Sequence, residues 1–190
     1  MGEMMKQTKF KAALLAVALL LGSGSALAED NFWLWLVNFS RQKEVKPVDN
    51  KAYQEECGSC HFAYPPGLLP AKSWAKLLDE KALNDHFGES ASLDKDTLKE
   101  IYDYAMANSA EKSWYKRSRK IALATEEGDA PLRITEVRYI KRKHHDIPEK
   151  MIKGNKDVKS LSYCNACHTK ADKGIFDNDT VSIPNYPDFD

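Results

Sequence analysis

Apolar positions recur at helical spacing between residues 92 and 108, where Leu93, Leu98, Ile101, Tyr102 and Ala105 predict one amphipathic helix. Ser92 is its expected N-cap, with Asp94 and Asp96 in the first turn, where carboxylates favour the helix dipole. A shorter helix is expected from Ser73 through Trp74, Leu77 and Leu78. Upstream, Tyr64-Pro65-Pro66-Gly67-Leu68-Leu69-Pro70 holds three prolines and a glycine, which mark a fixed non-helical loop. Only Arg133-Ile134-Thr135-Glu136-Val137 alternates as a strand would. The tail, with Pro184, Pro187 and five aspartates after position 171, reads as loop. The pattern predicts a mainly α protein with much irregular loop.

The N-terminus has a different pattern. Lys6, Lys9 and Lys11 precede an apolar stretch from Ala12 to Leu21, and small residues then lead to Ala26-Leu27-Ala28. That is the order of a secretory signal peptide, expected here as residues 1–28 with cleavage after Ala28. An uncleaved anchor is the alternative, and Phe32-Trp33-Leu34-Trp35-Leu36-Val37 would prolong its membrane contact, but Glu29, Asp30 and Asn31 interrupt it. The mature protein, residues 29–190, is expected outside the cytoplasm.

Composition agrees with a folded, exported domain. Charged residues make up 29% and hydrophobic residues 43% of the 190, unlike a disordered chain. The 28 basic and 28 acidic side chains cancel, so nucleic acid is not an expected partner. Their distribution is uneven, however. Residues 29–110 carry 9 basic and 14 acidic side chains, whereas residues 111–190 carry 16 and 13. Lys112, Lys116, Arg117, Arg119 and Lys120 form one basic run; Arg138, Lys141, Arg142 and Lys143 form another. Such runs are often no more than solvated faces, but opposite fields can also orient encounters with partner proteins.

The cysteines change the picture most. All four lie in two C-x-x-C pairs, each followed at once by histidine: Cys57-Gly58-Ser59-Cys60-His61 and Cys164-Asn165-Ala166-Cys167-His168. C-x-x-C-H is the attachment signature of c-type haem. Residues three apart share a helical face, so two thiols reach the two vinyl groups of one porphyrin. The following histidine then presents its imidazole to the iron. A four-cysteine zinc site explains neither histidine and requires pairs much closer in sequence. Disulfides or a thiol–disulfide oxidoreductase likewise leave both histidines without a role. Two covalently bound haems c, on Cys57, Cys60, Cys164 and Cys167, are the expectation.

Three histidines remain for the two distal positions. His86 lies 25 residues after His61, and His144 and His145 precede the second motif. Methionine is the competing ligand, but the mature chain offers only Met106, late in the predicted helix, and Met151, among Lys150, Lys153 and Lys156. Histidine is therefore expected at both irons, one spare imidazole per half, with His144 and His145 both open.

Longer stretches carry a family resemblance. Residues Glu56 to Pro70, the segment Asp85-His86-Phe87-Gly88-Glu89, Arg133 to Glu136 with Tyr139, Arg142, His144 and Ile147, and Cys164 to His168 with Gly174, Phe176, Ile183 and Pro184 resemble the bacterial dihaem cytochrome c family known as DHC. The resemblance implies a first haem-binding half, residues 29–110, similar to a class I cytochrome c, and a second haem-binding half, residues 111–190. It implies a periplasmic carrier of single electrons with two bis-histidine haems. His61 and His168 are then the proximal ligands, with His86 and His144 distal. His145 stands where the family usually has another residue, and so remains the alternative to His144. The implied partners are redox proteins, a b-type membrane cytochrome as donor and a monohaem c-type cytochrome as acceptor. An enzyme of another class, a small dihaem peroxidase or reductase with one open iron, would need an acid or base beside it, for which His145, Asp146 and Glu89 are the candidates.

Overall fold

A computed structural model describes residues 44–189; the expected signal peptide and the Trp33–Trp35 segment lie outside the described residues. Among those residues the regular structure is helical: α1 (Lys51–Gly58), α2 (Ala71–Leu77), α3 (Glu80–Asn84), α4 (Lys95–Ala107), α5 (Lys116–Ala124), α6 (Arg138–His144), α7 (Glu149–Ile152) and α8 (Cys164–Cys167). Short 3₁₀ turns and loops join them, and β-pairing among the described residues is confined to isolated bridges. The fold class is mainly α with much irregular chain.

Local chemistry accounts for the helix starts. The Asn50 side chain accepts from Tyr53 N at 2.7 Å and caps α1. At α4 the cap is Asp94 rather than Ser92, its carboxylate accepting from Asp96 N and Thr97 N at 3.0 Å each. Ser92 instead donates its hydroxyl to Asn84 Oδ1 at 2.7 Å, which ties the loop to the end of α3. Helix α2 begins two residues before Ser73, directly after Pro70. Proline has no N–H to lose, so it suits the position just before a helix. The strand-like Arg133–Val137 stretch folds as a 3₁₀ turn over Ile134–Glu136, because no neighbouring strand offers it a ladder.

One apolar core spans the chain from Val45 to Phe176. Tyr53 sits in it with its ring edge-on to Trp74 (6.2 Å between centres) and Tyr104 (5.3 Å). The polar ends of these rings are satisfied: Tyr53 Oη donates to Tyr64 O at 2.7 Å, and Trp74 Nε1 donates to Pro66 O at 2.8 Å. The proline-rich loop is therefore held from inside, and its Pro66–Leu68 stretch makes one 3₁₀ turn. A smaller core gathers Met151, Val158 and Ile183. Met151 is buried although Lys150, Lys153 and Lys156 around it are exposed.

The start of the described chain is fastened to two distant segments. Val45 N donates to Gly174 O at 3.0 Å, and Arg117 N donates to Glu44 O at 2.9 Å. Gly174 has φ +72°, and a Cβ there would lie 2.1 Å from Val45 O, so only glycine allows this approach. The Arg117 guanidinium pairs with the Glu44 carboxylate, with Nε at 2.9 Å from Oε2, and also donates to Phe176 O at 3.0 Å and Tyr139 Oη at 3.1 Å.

Candidate functional site

Helix α1 ends in the first motif: Cys57 lies on its last turn, and Cys60 and His61 follow in the turn beyond. His61 is oriented by its own backbone, with Nδ1–H donating to Phe62 O at 2.8 Å, which leaves Nε2 free. The proline-rich loop supplies a ring to this histidine, since Tyr64 stacks on His61 with centres 4.9 Å apart. Tyr64 Oη then donates to Ser162 O at 2.5 Å, two residues before Cys164, so one side chain joins the first motif to the segment that leads into the second. From the sequence alone Tyr64 belongs only to a loop; an aromatic three residues after the motif histidine is the signal it offers.

His86 comes from beyond α3, in a tight turn. His86 N donates to Glu89 O at 2.7 Å, and the two central residues, Phe87 and Gly88, have φ of +57° and +101°. A left-handed phenylalanine is strained, and such strain is characteristic of functional turns. The Asp85 carboxylate accepts from Gly88 N at 3.0 Å, and the Arg133 guanidinium covers the Phe87 ring at 3.9 Å. The turn presents the His86 ring to that of His61, with centres 6.5 Å apart and planes 21° from parallel.

The second pair is built from α6 and α8. His144 ends α6, and its Nδ1–H donates to Ile140 O one turn back at 2.8 Å. His168 follows α8, where its N–H bonds to Cys164 O at 2.8 Å and its backbone bridges to Val181 in the tail. Their ring centres lie 6.0 Å apart, with planes 74° from parallel. The Phe176 ring packs edge-on against His168 at 5.2 Å. His145 points elsewhere: its side chain is 66% exposed and meets Asp146 Oδ1 at 3.2 Å.

These separations test whether the residues fit a metal porphyrin. Two imidazoles on opposite sides of one metal, with bonds of about 2 Å, have ring centres about 6 Å apart. Both pairs meet that requirement. Around the second, a cavity of about 440 Å³ is lined by Cys164, Cys167, His144, His168, Met151 and Ile183 among others, with cysteines and histidines on the same wall system. Burial pushes His168 down to about 4 and holds His86 below its ordinary value, the neighbouring ring adding to the effect in each case. Both are then neutral at pH 7, the form that ligates. Burial also pushes the Cys57 thiol up to about 12 and Cys164 to about 11. Among the described residues no three Cys, His, Asp or Glu side chains converge on one metal position.

Two C-x-x-C-H turns, each facing a second imidazole, define a c-type cytochrome with two haems. The dihaem cytochrome c family model matches residues 53–176. Solved structures agree. The diheme cytochrome c of Shewanella baltica OS155 is 39% identical, with a TM-score of 0.60 over 74% of this chain and 98% of that one. A diheme cytochrome c from Rhodobacter sphaeroides is also 39% identical, with a TM-score of 0.61 over 70% of this chain and 100% of that one. No curated protein matches the chain. The chain belongs to the dihaem cytochrome c family. It therefore carries two covalently attached c-type haems, and its family chemistry is haem-based electron transfer.

Proposed function

We propose that the protein is an exported, periplasmic carrier of single electrons whose haems are each held by two histidines. His61 and His86 serve the first, tethered at Cys57 and Cys60; His168 and His144 serve the second, tethered at Cys164 and Cys167. The observation that carries this reading is the facing of the imidazoles at 6.5 and 6.0 Å, each pair combining one motif histidine with one from elsewhere in the chain. When bound, haem iron supplies a ferric–ferrous couple whose potential follows its axial ligands and surroundings.

The chain's own part is to hold the rings still and keep the iron closed. Backbone carbonyls of Phe62 and Ile140 fix the orientation of His61 and His144. Tyr64 and Phe176 pack against the motif histidines and reduce access for water. His145 and Asp146, candidates for acid–base work in an enzymatic reading, pair with each other in solvent, with side chains 66% and 84% exposed. Each of the two halves, residues 29–110 and 111–190, contributes one C-x-x-C-H motif. Export rests on the order of charge, apolar run and small residues in positions 1–28. Among the described residues no helix is long and apolar enough to cross a membrane. Redox proteins are the partners this reading requires, a b-type membrane cytochrome giving electrons and a monohaem c-type cytochrome taking them, with the uneven charge of the halves steering encounters.

The test is the visible spectrum of the dithionite-reduced protein with and without carbon monoxide. A sharp c-type α band that the gas leaves unmoved is expected for the native protein. His86→Ala and His144→Ala should each open one iron to carbon monoxide while both haems stay covalently bound; His145→Ala should not. A native spectrum that shifts with the gas would overturn bis-histidine closure, and a response of His145→Ala in place of His144→Ala would reverse the choice between neighbours.

A further inference from the structure

Ring nitrogens that do not bind the metal need a partner, usually a carbonyl or carboxylate. His61 and His144 have theirs in Phe62 O and Ile140 O. His168 does not: its Nδ1 is buried without a hydrogen-bond partner. Four buried side-chain polar atoms among the described residues share that condition. Two are serine hydroxyls, and the remaining one is Asp177 Oδ1.

The segment that carries Asp177 is fastened beside His168 from both directions. On one side, Phe176 packs its ring on His168 at 5.2 Å while its carbonyl is held by Arg117 at 3.0 Å. On the other, Asp177 O accepts from Thr180 N at 3.3 Å and Thr180 Oγ1 at 3.2 Å. Thr180 O in turn accepts from Thr169 N at 3.3 Å and Thr169 Oγ1 at 2.8 Å, next to His168 itself. The turn is thus sewn along the histidine. The carboxylate also acts electrostatically on that ring.

We propose that, in the haem-loaded protein, Asp177 becomes the acceptor for His168 Nδ1–H, a positioning residue that makes this imidazole a stronger donor to the second haem iron than the carbonyl-bonded rings are to theirs. This rests on the assignment of His168 as an axial ligand. A carboxylate partner draws the Nδ1 proton and leaves more charge on Nε2, which favours the ferric state. The proton stays on the ring, so no bond is made or broken. Asp177 was visible in the sequence only as one of five tail aspartates; its neighbour Asp179 is exposed and carries the same charge, which makes it the control.

The experiment is a potentiometric titration of the holoprotein and of Asp177→Asn, Asp177→Ala and Asp179→Asn, followed in the α band and by paramagnetic proton NMR. Haem content by pyridine haemochrome and carbon monoxide silence are measured first. Asp177→Asn, which keeps the shape and an acceptor oxygen, should shift one haem's equilibrium towards the reduced form about tenfold, or ~59 mV for a one-electron couple. The other haem and Asp179→Asn should stay at native values, and the hyperfine-shifted ring N–H of one axial histidine should move. Asp177→Ala should shift the same haem at least as far. Unmoved potentials in a doubly loaded, gas-silent Asp177→Asn would overturn the inference alone, as would equal shifts of both haems. A native protein that binds the gas would instead overturn the ligand reading beneath it.

Discussion

Arg117 and Glu44 form a buried ion pair, with side chains 13% and 11% exposed, and the same guanidinium also binds Phe176 O and Tyr139 Oη. Replacing Arg117 with methionine keeps most of the apolar volume but leaves the Glu44 carboxylate buried without its cation. Breaking one side of such a pair costs about 3–5 kcal/mol. In a chain of this size each kcal/mol moves the melting temperature by roughly 2–4 °C, so Arg117→Met should melt about 6–20 °C lower. Glu44→Leu should be costly for the reciprocal reason. The double variant should lose less than either single one, because an apolar pair of similar volume is near neutral. Its remaining cost, about 1–3 kcal/mol, is the Phe176 carbonyl left without a donor. Thermal unfolding followed by far-UV circular dichroism, with haem content matched, gives the four corners of this cycle. A double variant that loses the sum of the single losses would refute the argument, since the two groups would then not be paired.

Two further predictions concern the scaffold. Gly174→Ala should cost several kcal/mol and lower haem retention, because its Cβ would lie 2.1 Å from Val45 O at a left-handed φ; a native-like melting temperature would count against the close approach. Asp94, held below its ordinary value of 3.8 by the N–H groups of Thr97 and Asp96, has a depressed folded pKa. Its contribution is therefore complete above that value and is lost as pH falls through the lower folded one. Native protein should exceed Asp94→Asn in urea stability near neutral pH and converge with it as pH falls through the lowered folded value; a constant gap across that range would assign the difference to something other than charge.

Much of this was legible in the chain. The helix over α4 follows from its own periodicity, and the attachment turns follow from a motif that needs only five residues. The sequence does not separate Ser92 from Asp94 as the cap, because both are good capping residues and only the tie of Ser92 to Asn84 tells them apart. Met151 reads as exposed by its lysine neighbours, yet helical turning buries it. His144 and His145 are indistinguishable as letters; the end of α6 turns one towards His168 and the other into solvent. The hydrogen bond from Tyr64 to Ser162 joins residues 98 positions apart and has no local signature.

The imidazole planes differ by 21° in one pair and by 74° in the other. Under the proposed ligation this gives the two irons unequal orbital symmetry. Aligned rings donate π density along one direction and split the paired d orbitals. Crossed rings donate along both and leave those orbitals nearly degenerate, with a larger magnetic anisotropy. Each haem then carries its own paramagnetic label, so the two oxidation states can be followed separately within one molecule even where their optical bands coincide.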